Sequence, residues 1–483
     1  MFSKKLGVAA LTLIGMAGSV QADIVTDWND VWLDTIRATG GGPCQITRNG
    51  AIVAVSVYEA VNSITRTHEP FVGFIDAGGN ANMKAAVSAA AHRALVAQYP
   101  TRVAIYDAEL ASVLATIPNN PAKTRGIALG EAAADQIIAS RANDNSDIVT
   151  PYTYGTSPGD FVMDNPELFA SPHGPNWWQS SPWVIPAIAP FQPSKPLRFR
   201  NKANLLASPG YARQVNEVKA IGERNSTTRT ADQTEYAWFW ANDRDGTFKP
   251  PGHINYIAQV VSGQLGLSVP ENARLLALLN LSLADSVLVT WATKYKTNID
   301  LWRPVAAIRH ADLDNNPLTE ADPDWNPLLE FTPPFPAYAS GHSGMGGVWA
   351  GIMQNFVGTD DFTYTIGTDE PIVANVTRTF TSFSAAGQEN ALSRIYLGVH
   401  FRMDCEQSYA SGVNIADYIY THALRPICPA DFDSDGQLTS RDMYGFAAAY
   451  FAHGAAADYN DDGRVTSADM TKYVRDFQRG CGN

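Results

Sequence analysis

Pro333-Pro-Phe335-Pro-Ala-Tyr-Ala339-Ser340-Gly341-His342-Ser343-Gly344 runs without a break into Met345-Gly-Gly-Val-Trp-Ala-Gly-Ile-Met353. The prolines keep the first half out of a helix. The second half, rich in glycine and alanine among apolar residues, reads as a buried helix whose small side chains let neighbours come close. Ser340 falls at the expected N-cap, which leaves the Gly341 amide free to donate. A helix start with free amides attracts anions, and Gly341 lets the backbone approach one without a Cβ in the way.

Two flanking clusters carry the matching charge. Upstream lies Lys294-Tyr-Lys296-Thr-Asn-Ile-Asp-Leu-Trp-Arg303-Pro304, and downstream Ser393-Arg394-Ile-Tyr-Leu-Gly-Val-His400. Arg303 and Arg394 bear planar forks that match tetrahedral oxyanions, and a lysine adds a compact point charge. His342 and His400 can divide the chemistry, one bonding to the central atom of the anion and the other moving protons. Together the residues describe a phosphate-shaped pocket.

The three clusters, in this order and spacing, resemble the Lys-x6-Arg-Pro, Pro-Ser-Gly-His and Ser-Arg-x5-His signature of the vanadium-dependent haloperoxidases and the type 2 phosphatidic acid phosphatase superfamily. The Pro-Pro-Phe-Pro run resembles the haloperoxidase branch. The resemblance implies vanadate as cofactor, with His400 as its axial metal ligand and His342 as general acid/base. Lys296, chosen over Lys294 by the family spacing to Arg303, would neutralise equatorial oxygens with Arg303 and Arg394. Ser340 and the Gly341 amide would add hydrogen bonds. Phe335 resembles a residue on the halide side of such pockets. Ala339 stands where the family has Pro. Thr293 stands where chloroperoxidases place Trp, which favours bromide or iodide over chloride. The implied activity is halide oxidation by hydrogen peroxide to hypohalous acid, which then halogenates a small organic acceptor. A histidine-nucleophile acid phosphatase is the alternative within the superfamily, and a non-catalytic binding protein the alternative outside it.

The rest of the chain supports a mainly α fold, with a helical-bundle haloperoxidase-like catalytic domain over residues 23–425. Helical apolar spacing marks Gln45–Thr65, Met83–Gln98, Ala104–Ile117 and Ala122–Arg141. Asn272–Lys296 is apolar nearly all round and should be the central helix. Between them, residues 142–210 are broken repeatedly by proline and cannot form one regular element. This excursion is expected to roof the site, with Trp177, Trp178 and Trp183 walling the entrance. His173 and His253 are further candidates for the cleft, whereas His92, His310 and His422 read as structural. Phe356–Thr381 has the β-branched look of short strands, and Ser382–Leu397 returns to helix and carries Arg394.

The net charge of −13 argues against a nucleic-acid partner. Met1–Ala22 reads as a secretory signal peptide, with Lys4 and Lys5 before an apolar stretch and Val20-Gln-Ala22 at the cleavage offsets. The mature chain is then exported, to a secreted, periplasmic or cell-surface location, with no membrane span. Four cysteines in an exported chain suggest two disulfides. Cys428–Cys481, bracketing the C-terminal segment, and Cys44–Cys405 are the favoured pairs.

From residue 426 to 483 the chain repeats itself with a period of 27 residues. Asp431, Asp433, Asp435, Gln437 and Asp442 in one loop correspond to Asp458, Asn460, Asp462, Arg464 and Asp469 in the next. Oxygen donors at loop positions 1, 3, 5 and 12, with Gly at 6, make the ligand pattern of an EF-hand-type calcium loop. Asp at position 12, a helix only after each loop, and the duplication resemble a dockerin domain. That resemblance implies two Ca2+ ions and a cohesin-like protein partner.

Overall fold

The computed structural model describes residues 23–480 apart from 298, 434–436 and 461. Residues 1–22, Asp435 and Cys481 therefore lie outside the described residues, and with them the expected signal peptide. Asp23 caps the first helix, its carboxylate accepting from the Val25 and Thr26 amides, and α1 (Ile24–Thr39) follows. α2 (Pro43–Thr65) opens on a proline, where no amide partner is needed. α3 (Met83–Gln98), α4 (Val103–Ala115) and α5 (Pro121–Ser140) complete the first half.

Residues 142–201 hold only three single-turn helices, at Trp177–Gln179, Ala189–Phe191 and Pro196–Arg198. Then come α6 (Lys202–Leu206), α7 (Pro209–Ile221), α8 (Ala231–Phe239), α9 (Lys249–Leu265) and α10 (Val269–Tyr295). A capping box between Ser268 and Glu271 starts α10, and its side chains are buried on every face. It is the one described helix long and apolar enough to cross a membrane, yet it lies wholly inside the protein as its core. Burying each leucine of the run Leu275, Leu278, Leu279, Leu281 and Leu283, all 0% exposed, contributes about 2 kcal/mol.

α11 (Pro304–Arg309) leads by a long turn-rich segment to α12 (Gly341–Val357). A two-stranded antiparallel sheet of β1 (Asp361–Ile366) and β2 (Arg378–Ser382) separates α12 from α13 (Phe383–Tyr396), and α14 (Arg402–His422) closes the bundle. The small residues of α12 allow this packing. A Cβ on Gly347 would fall 2.1 Å from the Tyr409 carbonyl of α14, and one on Gly346 2.6 Å from the Gly387 carbonyl of α13. Three helices thus meet at backbone distance around the segment that begins with Ser340.

The strand expectation holds for residues 361–366 but not for 373–377, where Pro371 starts a single helical turn and pairing begins only at Arg378. The Cys44–Cys405 disulfide is overturned: both are buried free thiols. Cys44 packs with Trp177 and Trp291, whereas Cys405 belongs to a different apolar cluster with Ala339 and Met403. The Cys428–Cys481 pair involves a residue outside the described set.

After residue 425, α15 (Ser440–Phe451) and α16 (Ser467–Arg479) each follow one of the acidic loops. Their small core stacks Phe446 on Tyr473, with ring centroids 3.8 Å apart.

Candidate active site

α12 begins where the sequence places it. Ser340 is the N-cap, and its hydroxyl accepts from the Ser343 amide and hydroxyl at 3.3 and 2.8 Å. The Trp291 ring from α10 packs on Gly341, where a Cβ would stand 3.3 Å from it. Arg303, at the start of α11, is fully buried. It donates to the carbonyls of Phe335 and Val399, each at 2.7 Å, and to Nε2 of His400 at 2.9 Å. Arg394, in the last turn of α13, is 1% exposed and donates to Asp243 at 2.8 Å.

His400 is oriented from both sides. Its Nδ1 donates to Asp404 Oδ2 at 3.0 Å, while Arg303 donates to Nε2, so the network assigns the lone pair to Nε2. His342 donates from Nε2 to the carbonyls of Trp240 and Ala241, both at 3.2 Å, which leaves Nδ1 as its basic atom. His342, Arg394, His400 and Gly341 line the floor of one cavity of about 800 Å³.

The structure brings together Arg303, Ser340, Gly341, His342, Arg394 and His400, but not Lys296. Lys296 is the exposed C-cap of α10, with its ammonium 4.3 Å over the Trp178 ring. Lys294 takes the inner position instead. It is 0% exposed, donates to the Pro336 carbonyl at 2.6 Å, and lies 4.7 Å over Phe335, whose ring also carries Arg303 at 4.7 Å. Two residues of helix turn a side chain by about 200°, so only one of the two lysines can face inward. Lys294 shares its face with Trp291, which is fully buried.

Burial dominates the titration of the site. It pushes His342 down to about 3, helped by Arg394 and opposed by Asp243. His400 and Lys294 are also held well below their ordinary values, burial first and then the Arg303 charge. Asp404 is raised to about 7 by burial, against the Phe401 amide and Lys294. For Asp243 burial pushes up, but Arg394 and His342 prevail and hold the carboxyl low.

Three guanidinium nitrogens in this buried cluster have no partner among the described residues: Arg303 Nη2, Arg394 Nε and Arg394 Nη1. Leaving such donors unpaired inside a protein costs about 1–3 kcal/mol each. A tetrahedral oxyanion would satisfy them. The residues therefore fit vanadate or phosphate.

Asp243 and Asp404 were not singled out from the sequence. Asp404 carried one signal, its i+4 spacing from His400 ahead of a helix. Asp243 carried none. The tryptophans expected at the entrance lie elsewhere: Trp177 is buried beside Cys44, Trp178 under Lys296, and Trp183 on Phe71 and Arg141. The excursion reaches the cavity instead through residues 168–173. His253 is buried between Asn242 and the Gly367 carbonyl, outside the cavity lining.

In the C-terminal loops, Asp431, Asp433 and Asp442 bring one carboxylate oxygen each within 4.8 Å of one another. Asp442 and Asp469, both buried, accept from the Thr439 and Thr466 amides at 2.7 Å. Asp458 accepts from the amides of Asp462 and Gly463.

The helical bundle thus gathers Arg303, Arg394, Lys294, His342 and His400 beside one cavity. Residues 274–428 match the family model described as the VCPO second helical-bundle domain. The chain is 30% identical over 233 residues to the vanadium chloroperoxidase of Curvularia inaequalis, a match covering 37% of each chain. The chain thus spans well under half the length of that relative. Among solved structures, a bacterial vanadium-dependent iodoperoxidase superposes with TM-score 0.72 at 21% identity, covering 83% of this chain and 97% of the other. A bacterial vanadium-dependent chloroperoxidase gives 0.64 at 15%, covering 84% and 98%. The fold is the helical-bundle haloperoxidase fold.

Proposed function

We propose that this chain is an exported vanadate-dependent haloperoxidase that oxidises bromide or iodide, rather than chloride, with hydrogen peroxide. The observation that carries this reading is the set of three unpartnered guanidinium nitrogens beside a histidine whose Nε2 bears a lone pair. Lys294, Arg303 and Arg394 hold the oxyanion by charge, with Ser340 and the Gly341 amide bonding its oxygens. His400 offers Nε2 as the metal ligand, and Asp404 keeps its proton on Nδ1. His342 would take a proton at Nδ1 and return it. Bound vanadate supplies the redox-active chemistry with peroxide.

The same cage suits a phosphoryl group, with Nε2 of His400 as nucleophile. Purified protein assayed for bromide oxidation with and without vanadate, alongside aryl-phosphate hydrolysis, separates the readings. Vanadate-stimulated bromination with little hydrolysis supports the first. Hydrolysis inhibited by vanadate overturns it in favour of the phosphatase.

For residues 426–483 we propose a dockerin-like module that binds two Ca2+ ions and docks on a cohesin-like protein. The support is the repeated loop pattern and the gathered carboxylates of Asp431, Asp433 and Asp442. So small a segment buries little core without its metal. Calcium titration of the full chain, followed by amide protection of α15 and α16, tests this; protection unaffected by chelation counts against it.

A further inference from the structure

Met345 stands one turn after His342 on α12. Among the described residues it is the one methionine in the lining of the cavity of about 800 Å³. It is 2% exposed and reaches solvent through that cavity. Its helix cannot yield there. A Cβ on Gly344 would fall 3.0 Å from the Ser286 hydroxyl, and one on Gly346 2.6 Å from the Gly387 carbonyl, so α12 is clamped on both sides of Met345.

The other sulfur atoms of the catalytic region are withdrawn from the cavity. Cys44 and Cys405 are free thiols, 0% exposed and outside the lining. A Cβ on Gly174 would lie 2.8 Å from Cys44 Sγ and 2.6 Å from Trp291 Nε1, so Cys44 is shut in behind backbone and indole. Burial holds both thiols protonated, Cys405 up at about 12 and Cys44 well above its ordinary value, whereas oxidation proceeds through the thiolate. Met353 and Met403 are buried away from the lining. Met443 in the C-terminal segment is the open methionine, 37% exposed. Oxidant released at the cage therefore meets Met345 as its nearest sulfur, while oxidant arriving from bulk solvent meets Met443.

We propose that Met345 is a self-modification site: hypohalous acid made at the cage converts its thioether to the sulfoxide, and the modified side chain weakens oxyanion binding. The inference rests on the haloperoxidase reading, which supplies the oxidant. The sulfur lone pair takes the halogen as the O–X bond breaks and hydroxide leaves. Water then forms the S–O bond, halide departs, and two protons are released, one of them to the hydroxide. Sulfur loses two electrons and the halogen gains them. The product is polar where the thioether was apolar, and with α12 clamped it has no room to turn inward. Its oxygen is an acceptor, and Arg394, which shares the cavity lining, holds two unpartnered donors, Nε and Nη1. The sulfoxide competes with the oxyanion for them. An organic acceptor that consumes the oxidant spares Met345, so the modification is heaviest when acceptor is scarce.

The test uses the full chain loaded with vanadate, turning over bromide and peroxide without an organic acceptor. Peptide mass mapping follows Met345, Met443 and Trp291. Met345 sulfoxide is expected to form first, in step with the loss of bromide oxidation, and vanadate affinity of the oxidised protein to fall about tenfold, the loss of one hydrogen bond. Met345→Leu, a change of similar volume, should lose activity more slowly, measured against its own initial rate. Hypobromous acid added from outside to vanadate-free protein should mark Met443 first, and peroxide without bromide should leave Met345 intact. Met443 or Trp291 leading during turnover, the same order under both treatments, sulfoxide formed equally without bromide, or equal loss of activity in wild type and Met345→Leu overturns the proposal. Bromide oxidation with Met345 intact removes the modification alone. If no bromide is oxidised, the haloperoxidase reading falls and the modification with it.

Discussion

Asp404 Oδ2 accepts from His400 Nδ1 at 3.0 Å and, at the same distance, from the Phe401 amide that opens α14. One carboxylate therefore both fixes the imidazole tautomer and caps the helix that follows it. Its second oxygen is buried without a partner, within the field of Lys294 and Arg303. Replacing Asp404 with Asn keeps the shape but lets the amide donate toward Nδ1, which frees the other tautomer. We expect vanadate affinity to fall about 10- to 100-fold, as for other residues that orient a metal-ligating histidine. Vanadate titration of the variant measures it, and an unchanged affinity contradicts the role.

The two lysines at the end of α10 are separable. Lys294→Ala removes a buried cation beside the cage, and oxyanion affinity should drop at least about tenfold. Lys296→Ala removes only an exposed contact with Trp178 and should shift affinity by less than about twofold. Parallel titrations with vanadate decide between them; the reverse ranking would restore Lys296.

Binding of an anion should draw in protons. Lys294, His342 and His400 are all held below their ordinary values, by burial first and then by the neighbouring cations. An anion raises each, so protons are taken up on binding and affinity increases as pH falls. Sulfate, which does not itself titrate near neutrality, is the clean probe. Calorimetry in buffers of different ionisation heat should report uptake between pH 8 and 5; release of protons would contradict it.

His253 makes an independent pH prediction. Buried among Phe248, Trp240 and Asn242, it has its pKa lowered to about 4 by burial. A folded-state value below the unfolded one of about 6.5 means that stability is fully present above that pH and is lost as pH falls toward 4. Melting temperature should decline over that window in wild type, and the slope should be shallower in His253→Asn. An identical slope in both removes His253 as the cause.

Asp285 latches the proline-rich excursion to the core. From inside α10 its carboxylate accepts from the amides of Trp183, Val184 and Ile185 at 2.7, 2.9 and 3.0 Å. Asp285→Ala leaves three donors unsatisfied and should cost about 3–5 kcal/mol. Urea denaturation measures the loss, and faster proteolysis within residues 142–210 locates it. Wild-type protease resistance would show that the excursion is held by other contacts.

The reach of the sequence follows a physical divide. α12, its Ser340 cap and the cations of Arg303 and Arg394 were legible because a capping residue, glycine spacing and paired guanidiniums act locally or have few alternative uses. The family spacing points to Lys296 whereas the structure buries Lys294, because a motif spacing is one-dimensional and the helix rotates the two side chains to opposite faces. Asp285 and Asp243 gave no signal, since each acts on backbone or side chains about 100 to 150 residues away. The cavity wall was placed on the wrong part of the excursion for the same reason. Tryptophans attract attention as lining, yet Trp177, Trp178 and Trp183 pack elsewhere, and Leu168 and Phe169 take the edge of the cavity.

On the proposed function, one oxyanion held by Lys294, Arg303, Arg394 and His400 makes this chain a halide-oxidising enzyme. Bromide oxidation followed against vanadate concentration tests it most directly. Activation that saturates at one vanadate per chain, and is abolished in His400→Ala, is the expected result. A correctly folded protein that oxidises no bromide at any vanadate concentration would contradict it.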